Sequence, residues 1–229
     1  GWGSAAWVGR LRAMRFQPPW GGAFRLDTFF HRTPDVLPEE TMASIRSAIL
    51  GSSLLGESNL SGQFSGTYGF SLTFRRDALP EVHQRFPAFA PYLAKTLLPE
   101  CNAFLLNPLL VGQGRGVAAH IDRSLEFYGP SIGCPVAVSV LYVQVPKELR
   151  GGALRLYHRG GRVAELTPRQ NALVMFRGDL LHEVESITSG AEGLGGSRIS
   201  LVVEQYRAPD EQLTNVPRFE LRTRSGVRA

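Results

Sequence analysis

The chain has 229 residues, of which 43% are hydrophobic and 20% are charged, and its net charge is +5 at pH 7. This length suits a single domain with its own core, and the composition excludes a disordered or collagen-like chain. No apolar run is long enough for a membrane-spanning helix, so we expect no membrane partner.

The cysteines and the positive charge bear on the cellular compartment and on the class of partner. Cys101 and Cys134 stand in no paired motif, which excludes a disulfide framework and a cysteine-rich zinc site. Free thiols are typical of a reducing compartment, so we predict a cytoplasmic location. The basic charge would suit nucleic acid, but no RNP, zinc-finger or helix-turn-helix signature is present, and we expect no nucleic-acid partner. The sequence predicts no particular oligomeric state.

The first hundred residues predict helices and one strand. The opening 26 residues are rich in Arg and Trp and contain no acid, as in a basic arm or the remnant of a transit sequence. A helix is predicted over 38–50, where two glutamates lie in the first turn and Gly51 follows. A loop rich in Gly and Ser follows over 51–69, then a strand over 67–74 and a helical region over 79–98 broken by two prolines.

The sequence pattern changes after residue 100, where short apolar runs alternate with Gly or Pro. Eight strands are predicted: 103–111, 116–122, 135–145, 153–158, 162–166, 171–176, 182–187 and 197–206. Such density predicts a mainly β protein with flanking helices and a jelly-roll-like core. We expect one domain over 1–229, with a helical, substrate-side region at 1–99, a catalytic core at 100–207 and a draped or disordered tail at 208–229.

A candidate metal site lies at the end of one predicted strand. His120 and Asp122 are two residues apart, so their side chains point to the same face. His182, which begins a later strand, is the best candidate for a third ligand. Two histidines and one carboxylate bind one face of Fe(II) and leave three positions open. An isolated His-x-Asp is a common accident, so structural roles for these histidines stay open at this point.

The last predicted strand carries a second unusual feature. Arg198 and Ser200 share one face, while Ile199 and Leu201 occupy the other. A buried arginine is costly unless a carboxylate pairs with its planar fork. A small dicarboxylate ligand would supply that partner, with Ser200 as a second donor, and a buried Asp or Glu of the chain is the alternative.

These residues resemble the Fe(II)- and 2-oxoglutarate-dependent dioxygenases, and among them the prolyl-4-hydroxylase-like branch. The likeness is strongest to the catalytic domains of oxygen-sensing prolyl hydroxylases and covers about residues 100–207. The stretches that carry it are 112–116 (GQGRG), 120–122 (HID), 141–143 (LYV), 151–156 (GGALRL), 166–168 (LTP), Phe176, 182–184 (HEV) and 198–200 (RIS).

The resemblance implies a double-stranded β-helix, or jelly roll, that holds Fe(II) and uses 2-oxoglutarate and O₂, with ascorbate as an optional stimulant. It implies metal ligation by His120, Asp122 and His182. It also implies that Arg198 binds the far carboxylate of 2-oxoglutarate, that Tyr142 donates to the same group, and that Leu154 packs on the cosubstrate. A plain core role for Tyr142 remains the alternative.

Two departures from the family pattern concern the cosubstrate pocket. Leu110 stands where related enzymes have a tyrosine, so that contact is expected to be absent. The segment between His182 and Arg198 is longer than in those enzymes and rich in Gly, which predicts a flexible insertion.

The expected reaction is hydroxylation of an unactivated C–H bond with release of succinate and CO₂. The branch favours a prolyl, peptidyl or amino-acid-derived substrate, and residues before 100 carry no family pattern that would identify it. We predict substrate contacts from Tyr68, Arg75, Arg123 and Tyr128, which belong to segments that could rim the active-site mouth. A free small-molecule biosynthetic intermediate is the alternative substrate. A non-catalytic, cupin-like binding module is the alternative of a different class.

Overall fold

The computed structural model describes residues 28–58, 60 and 62–223, and the backbone of three short strands outside that range. No helix in this part of the chain is long and apolar enough to cross a membrane. The Arg- and Trp-rich opening segment lies outside the described side chains. The α-helices are α1 (Glu39–Leu50), α2 (Leu79–Arg85), α3 (Ala90–Thr96) and α4 (Asp210–Leu213), and single 3₁₀ turns span Gly62–Phe64, Arg76–Ala78, Pro87–Phe89 and Glu126–Tyr128.

Most of the remaining regular structure is β. The strands are β1 (Arg15–Phe16), β2 (Phe24–Arg25), β3 (Phe30–Thr33), β4 (Gly56–Glu57), β5 (Tyr68–Gly69), β6 (Ser71–Arg75), β7 (Ala103–Val111), β8 (Val117–His120), β9 (Ala137–Gln144), β10 (Leu154–His158), β11 (Gly161–Leu166), β12 (Leu173–Arg177), β13 (Leu181–Val184), β14 (Arg198–Tyr206), β15 (Phe219–Thr223) and β16 (Gly226–Arg228).

Two antiparallel sheets form the core. The major sheet runs β16-β15-β6-β7-β14-β9-β12-β3, and the minor sheet runs β11-β10-β13-β8. Strands β7 to β14 are therefore divided equally between the two sheets, with β7, β9, β12 and β14 in the major sheet and β8, β10, β11 and β13 in the minor sheet, which confirms the predicted jelly-roll fold class. Each of the eight predicted core strands is present, with ends shifted by a few residues at most.

The major sheet separates two apolar layers because its side chains alternate. On the outer face, Ile199, Leu201 and Val203 of β14 pack with the helices, where Ile45 and Ile49 of α1 are fully buried. On the inner face, Val138, Val140 and neighbouring residues pack toward the minor sheet. The helices thus pack against the outer face of the sheet, and the side chains of its inner face are available to line the site.

Three local predictions need correction. Pro38 precedes α1 as its N-cap and is not its first residue. The predicted strand over 67–74 is divided into β5 and β6. The tail is ordered as far as residue 223, because β15 pairs with β6 in register and Leu221 is buried in the helix-side core. Strands from all three predicted regions share the major sheet, and we retain the proposal of one domain.

Candidate active site

The three predicted metal ligands meet at the open edge between β8 and β13. These strands are antiparallel, and His182 lies directly opposite His120 in their register. Asp122 follows β8 by two residues and turns back toward both rings. His120 Nε2 lies 3.2 Å from one carboxylate oxygen of Asp122, and His182 Nε2 lies 3.4 Å from the other. The ligand atoms of all three residues lie within 4.8 Å of one another.

The backbone fixes how both imidazoles present their nitrogens. His120 Nδ1 lies 2.8 Å from the carbonyl of Ala118, and His182 Nδ1 lies 3.1 Å from the carbonyl of Leu180. A carbonyl can only accept, so each ring donates from Nδ1 and keeps the Nε2 lone pair for the shared centre. Such outer hydrogen bonds orient histidine ligands in metal sites.

The protonation states of Asp122 and His182 also suit metal binding. For His120, burial alone would lower the pKa, but the hydrogen bond and charge of Asp122 raise it above its ordinary value. Burial alone would raise the pKa of Asp122, but the adjacent His182 and His120 lower it below its ordinary value. Burial lowers the pKa of His182, against the opposing charge of Asp122. The carboxylate is therefore ionised and this imidazole neutral near pH 7, which are the forms that ligate a divalent ion. These three residues are positioned to bind iron.

Arg198 lines the same cavity, and most of its guanidinium nitrogens have no hydrogen-bond partner among the described residues. Its side chain is almost fully buried, and its Nη2 donates to Ser200 Oγ at 3.2 Å. Within the described residues, Arg198 Nε and Nη1 and the hydroxyl of Tyr142 are buried without a hydrogen-bond partner. The Tyr142 ring lies 5.1 Å from the guanidinium carbon. No buried acid of this part of the chain takes the place of a ligand carboxylate, so the site fits a bound anion.

The metal cluster and Arg198 open into one cavity of about 550 Å³, a volume typical of small-molecule sites. Leu154, Phe176 and Val184 supply apolar walls around the cluster. Phe64 packs edge-on against the His120 ring at 5.1 Å, and Phe176 does the same against His182 at 4.9 Å. The cavity therefore holds the ligand set in a largely apolar surrounding.

Two of the four predicted substrate residues lie on this cavity. Arg123 and Tyr128 line it, but Tyr68 and Arg75 are not brought to its walls. Tyr68 pairs with Leu110, whose side chain lies in the helix-side core, so Tyr68 also points away from the cavity. Arg75 lies at the end of β6, 3.5 Å from Asp77, and points beyond the cavity.

Glu204 is a site residue that the sequence analysis missed. It lies on the same face of β14 as Ser200, four residues further along, and lines the cavity. It accepts hydrogen bonds from Ser124 Oγ at 2.8 Å and from the hydroxyl of Tyr206. The Ser124 amide in turn donates to that hydroxyl at 3.0 Å. Burial, reinforced by the charge of Asp122, raises the pKa of Glu204 well above its usual range. Strand alternation from Arg198 could have found this residue.

Comparisons with known proteins agree with this geometry. Residues 106–203 match the family model of the 2OG-Fe(II) oxygenase superfamily. The fold is similar to a Pseudomonas putida prolyl-4-hydroxylase, with a TM-score of 0.52 and 17% identity over 80% of this chain and 96% of that one. It is also similar to an oxidoreductase of the 2OG-Fe(II) oxygenase family from Burkholderia pseudomallei, with a TM-score of 0.51 and 12% identity over 91% and 92%. No curated protein matches the sequence.

The chain thus matches the 2OG-Fe(II) oxygenase superfamily over residues 106–203, the part that holds the metal cluster and Arg198. It is a 2-oxoglutarate-dependent dioxygenase, and Fe(II), 2-oxoglutarate and O₂ are its cofactor and cosubstrates.

Proposed function

We propose that this dioxygenase hydroxylates an unactivated C–H bond of a prolyl, peptidyl or other amino-acid-derived substrate, with release of succinate and CO₂. The observation that carries the proposal is the juxtaposition of the His120, Asp122 and His182 cluster with a buried, unpaired Arg198 in one cavity. The prolyl-peptide part rests on the sequence resemblance described above, and a free small-molecule substrate is the second candidate.

In this proposal each residue of the chain has a defined task. His120, Asp122 and His182 hold Fe(II) on one face and leave its other positions open to ligands. Arg198 receives the far carboxylate of 2-oxoglutarate on its fork, and Tyr142 and Ser200 donate to the same group. When bound, Fe(II) with 2-oxoglutarate and O₂ supplies the oxidising chemistry, which is not a chemistry of protein side chains.

The surrounding side chains position the cosubstrate and exclude water. Leu154 and Phe176 line the cavity beside the cluster, so we propose that they pack against the carbon chain of the cosubstrate. An intact Asp122 favours hydroxylation over halogenation, because a halogenating relative lacks the carboxylate in order to admit halide. The expected cytoplasmic location stays a prediction that the two free cysteines support.

The test is an anaerobic titration of the metal-free protein with Fe(II) and then with 2-oxoglutarate, followed by the visible charge-transfer band. We expect a band in the native protein and in His158→Ala, a control histidine outside the cluster. His182→Ala should give no band. Arg198→Ala should need at least tenfold more 2-oxoglutarate, because a charged, desolvated pair is lost.

The opposite results have a clear meaning. A native protein that binds Fe(II) but shows no band with saturating 2-oxoglutarate would make a non-catalytic binding module the better interpretation. An unchanged 2-oxoglutarate affinity in Arg198→Ala would remove the assignment of Arg198.

A further inference from the structure

The cavity has a second half beyond the metal cluster, on the side away from Arg198. Its floor comes from the inner face of β6 and β15, which extend the major sheet past the jelly roll. Ser71 and Thr73 of β6 and Arg222 of β15 line it, with Arg123 and Tyr128 from the segment after Asp122. Leu60 and Phe64 add apolar side chains to its lining. We call these the substrate chamber.

Arg222 is held rigidly in the wall of this chamber. Its Nε donates to Glu220 Oε1 at 2.6 Å, and its Nη2 donates to the Tyr128 hydroxyl at 2.9 Å. Tyr128 itself donates to Glu220 at 2.6 Å, which closes a three-residue ring of hydrogen bonds. The rings of Phe127 and Tyr128 lie 5.7 Å from the guanidinium carbon. A fork fixed in this way loses little entropy when it binds a ligand.

The contacts of Arg222 leave one nitrogen available. Glu220 and Tyr128 occupy Nε and Nη2, and Nη1 has no hydrogen-bond partner among the described residues. The Arg222 side chain is about a third exposed, and it lines the chamber. A ligand acceptor can therefore bind the guanidinium without breaking the existing ring of bonds.

The charge of the chamber is positive. Arg222 and Arg123 both line it, while their acidic partners Glu220 and Glu126 do not. Of the two acids that line the whole cavity, Asp122 belongs to the metal cluster and Glu204 is already bound by Ser124 and Tyr206. A chamber with two guanidinium groups and satisfied acids is complementary to a single anionic group on the ligand.

The shape of the chamber indicates a small ligand. The two basic groups lie on the wall of one cavity of about 550 Å³ together with the apolar Leu60 and Phe64, whereas a nucleic-acid backbone needs an open row of basic side chains. Two strands separate β15 from β14, so the backbones of these strands are about 14 Å apart at about 4.8 Å per strand spacing. The Arg222 end of the cavity is therefore separated by about that width from the strand that carries Arg198.

We propose that Arg222 is the substrate-binding residue that recognises a free carboxylate, with Arg123 as a second cation at the rim. The substrate class is then an amino acid, or a short peptide bound through its C-terminal carboxylate, whose target C–H bond lies toward the metal cluster. This inference rests on the proposed function, because it concerns the substrate of the same cavity.

The test pairs each probe acid with its amide. Anaerobic protein loaded with Fe(II) and 2-oxoglutarate is titrated with the free amino acids and with short proline-containing peptides, each as the carboxylate and as the amide. Binding is followed by the shift of the charge-transfer band, and turnover by succinate formation in air. We expect bound probes to be acids, with affinity at least tenfold weaker for the matching amide.

The variants separate recognition from folding. Arg222→Gln should bind acid and amide equally, and Arg222→Lys should regain part of the preference for the acid. Both should keep the native 2-oxoglutarate affinity within about twofold, since Arg222 lies outside the cosubstrate end. Arg162→Gln, which removes an exposed arginine of β11 that also pairs with a glutamate, is the matched control and should behave as native.

Each other outcome counts against the proposal. Equal affinity of the native protein for acid and amide, or an acid preference that survives in Arg222→Gln, overturns it. The proposal is also overturned if the native protein binds 2-oxoglutarate but its charge-transfer band responds to no carboxylate probe at concentrations up to about 10 mM. A response to an oligonucleotide alone would overturn it as well. No charge-transfer band at all contradicts the proposed function instead. Binding of amino acids alone, or of peptides as well, tells the two carboxylate sources apart.

Discussion

At the scale of single residues, the buried polar atoms that have no partner are the most informative. Arg198 and Tyr142 are both buried and have polar atoms without a partner, and the Tyr142 ring lies 5.1 Å from the guanidinium carbon. Leaving such groups unpaired costs free energy in the empty protein, and a ligand that satisfies them recovers that cost. The cosubstrate end of the site is therefore expected to be less stable than its packing alone would make it.

Tyr142→Phe should have opposite effects on stability and on binding. Without the hydroxyl, the metal-free protein should gain up to about 1 kcal/mol, because one buried unpaired group is removed. Binding of 2-oxoglutarate should weaken about three- to tenfold, because a donor to its carboxylate is lost. Urea denaturation and the charge-transfer titration measure the two quantities. A loss of stability with unchanged 2-oxoglutarate binding would indicate a plain core tyrosine.

Glu204 predicts a pH dependence of folding. Its pKa is raised in the folded state, chiefly by burial, so the folded protein retains this proton at pH values where the unfolded chain has lost it. Stability from this group is full below the ordinary glutamate pKa of about 4.3 and is lost as pH rises toward the folded value. The slope can reach about 1.4 kcal/mol per pH unit.

Glu204→Gln should remove that slope. The amide can still accept from Tyr206 and donate to Ser124 Oγ, so the variant should gain stability relative to native as pH rises from 5 to 8. Urea denaturation of metal-free protein at several pH values measures this, and Glu126→Gln on the surface is the control. A constant difference between variant and native across this range would contradict the assignment.

At the scale of elements, the segment between β13 and β14 packs near Arg198, since Ile187 and Arg198 both lie beside Gly152. The predicted insertion contacts the rest of the described chain: Ile187 is fully buried, and Gln144 donates to the backbone carbonyls of Gly195 and Ser197 at 2.9 and 2.7 Å. Ile187 also lies near Gly152, where both it and Arg198 would contact an added Cβ. These contacts hold the part of the segment that meets Arg198, and the flexibility of the insertion stays a prediction.

Gly152→Ala tests this packing against a matched glycine. Gly152 has a φ of +78°, and an added Cβ would lie 3.2 Å from Ile187 and 3.6 Å from Arg198. Gly160 has a φ of +82° with nothing within 4 Å. Both substitutions should cost about 1–2 kcal/mol of stability because of the left-handed backbone. Only Gly152→Ala should also weaken 2-oxoglutarate binding, by about threefold or more, because only its Cβ would contact Arg198. Equal effects of the two variants on binding would argue against a role of this packing.

At the scale of the whole molecule, chain regions far apart in sequence complete one sheet and one core. Strand β15 pairs with β6, and β6 with β7, so the last described residues extend the wall that carries the active site. Leu221 joins Leu72 and Ile45 in the core between the sheet and the helices. Strand β15 is consequently part of the same sheet and the same core as the strands that carry the site.

Leu221→Ala should destabilise the protein by about 2–5 kcal/mol, because it removes buried methyl groups and leaves a cavity. Leu194→Ala, at a position that is 42% exposed in the insertion, should change stability by less than about 0.5 kcal/mol. The free energy of unfolding in urea measures both. A similar small effect for the two variants would show that β15 is not part of the cooperative core.

The sequence alone determined the parts of the site that depend on local geometry. Side chains alternate along any strand, so His120 with Asp122 and Arg198 with Ser200 share a face whatever the rest of the chain does. Gly and Pro residues between the apolar runs also located the eight core strands, because these residues favour turns through their local backbone preferences. The resemblance to a known family added the roles of Tyr142 and Leu154.

Only the tertiary structure decided which distant residues face the cavity. Tyr68 and Arg222 illustrate this, because strand register turns the first away from the cavity and brings the second, from a tail expected to be unstructured, into its wall. Glu204 likewise acquires its raised pKa from burial and from groups about eighty residues earlier in the chain. Register and sheet order are set by contacts between distant segments, and no local pattern in the sequence encodes them.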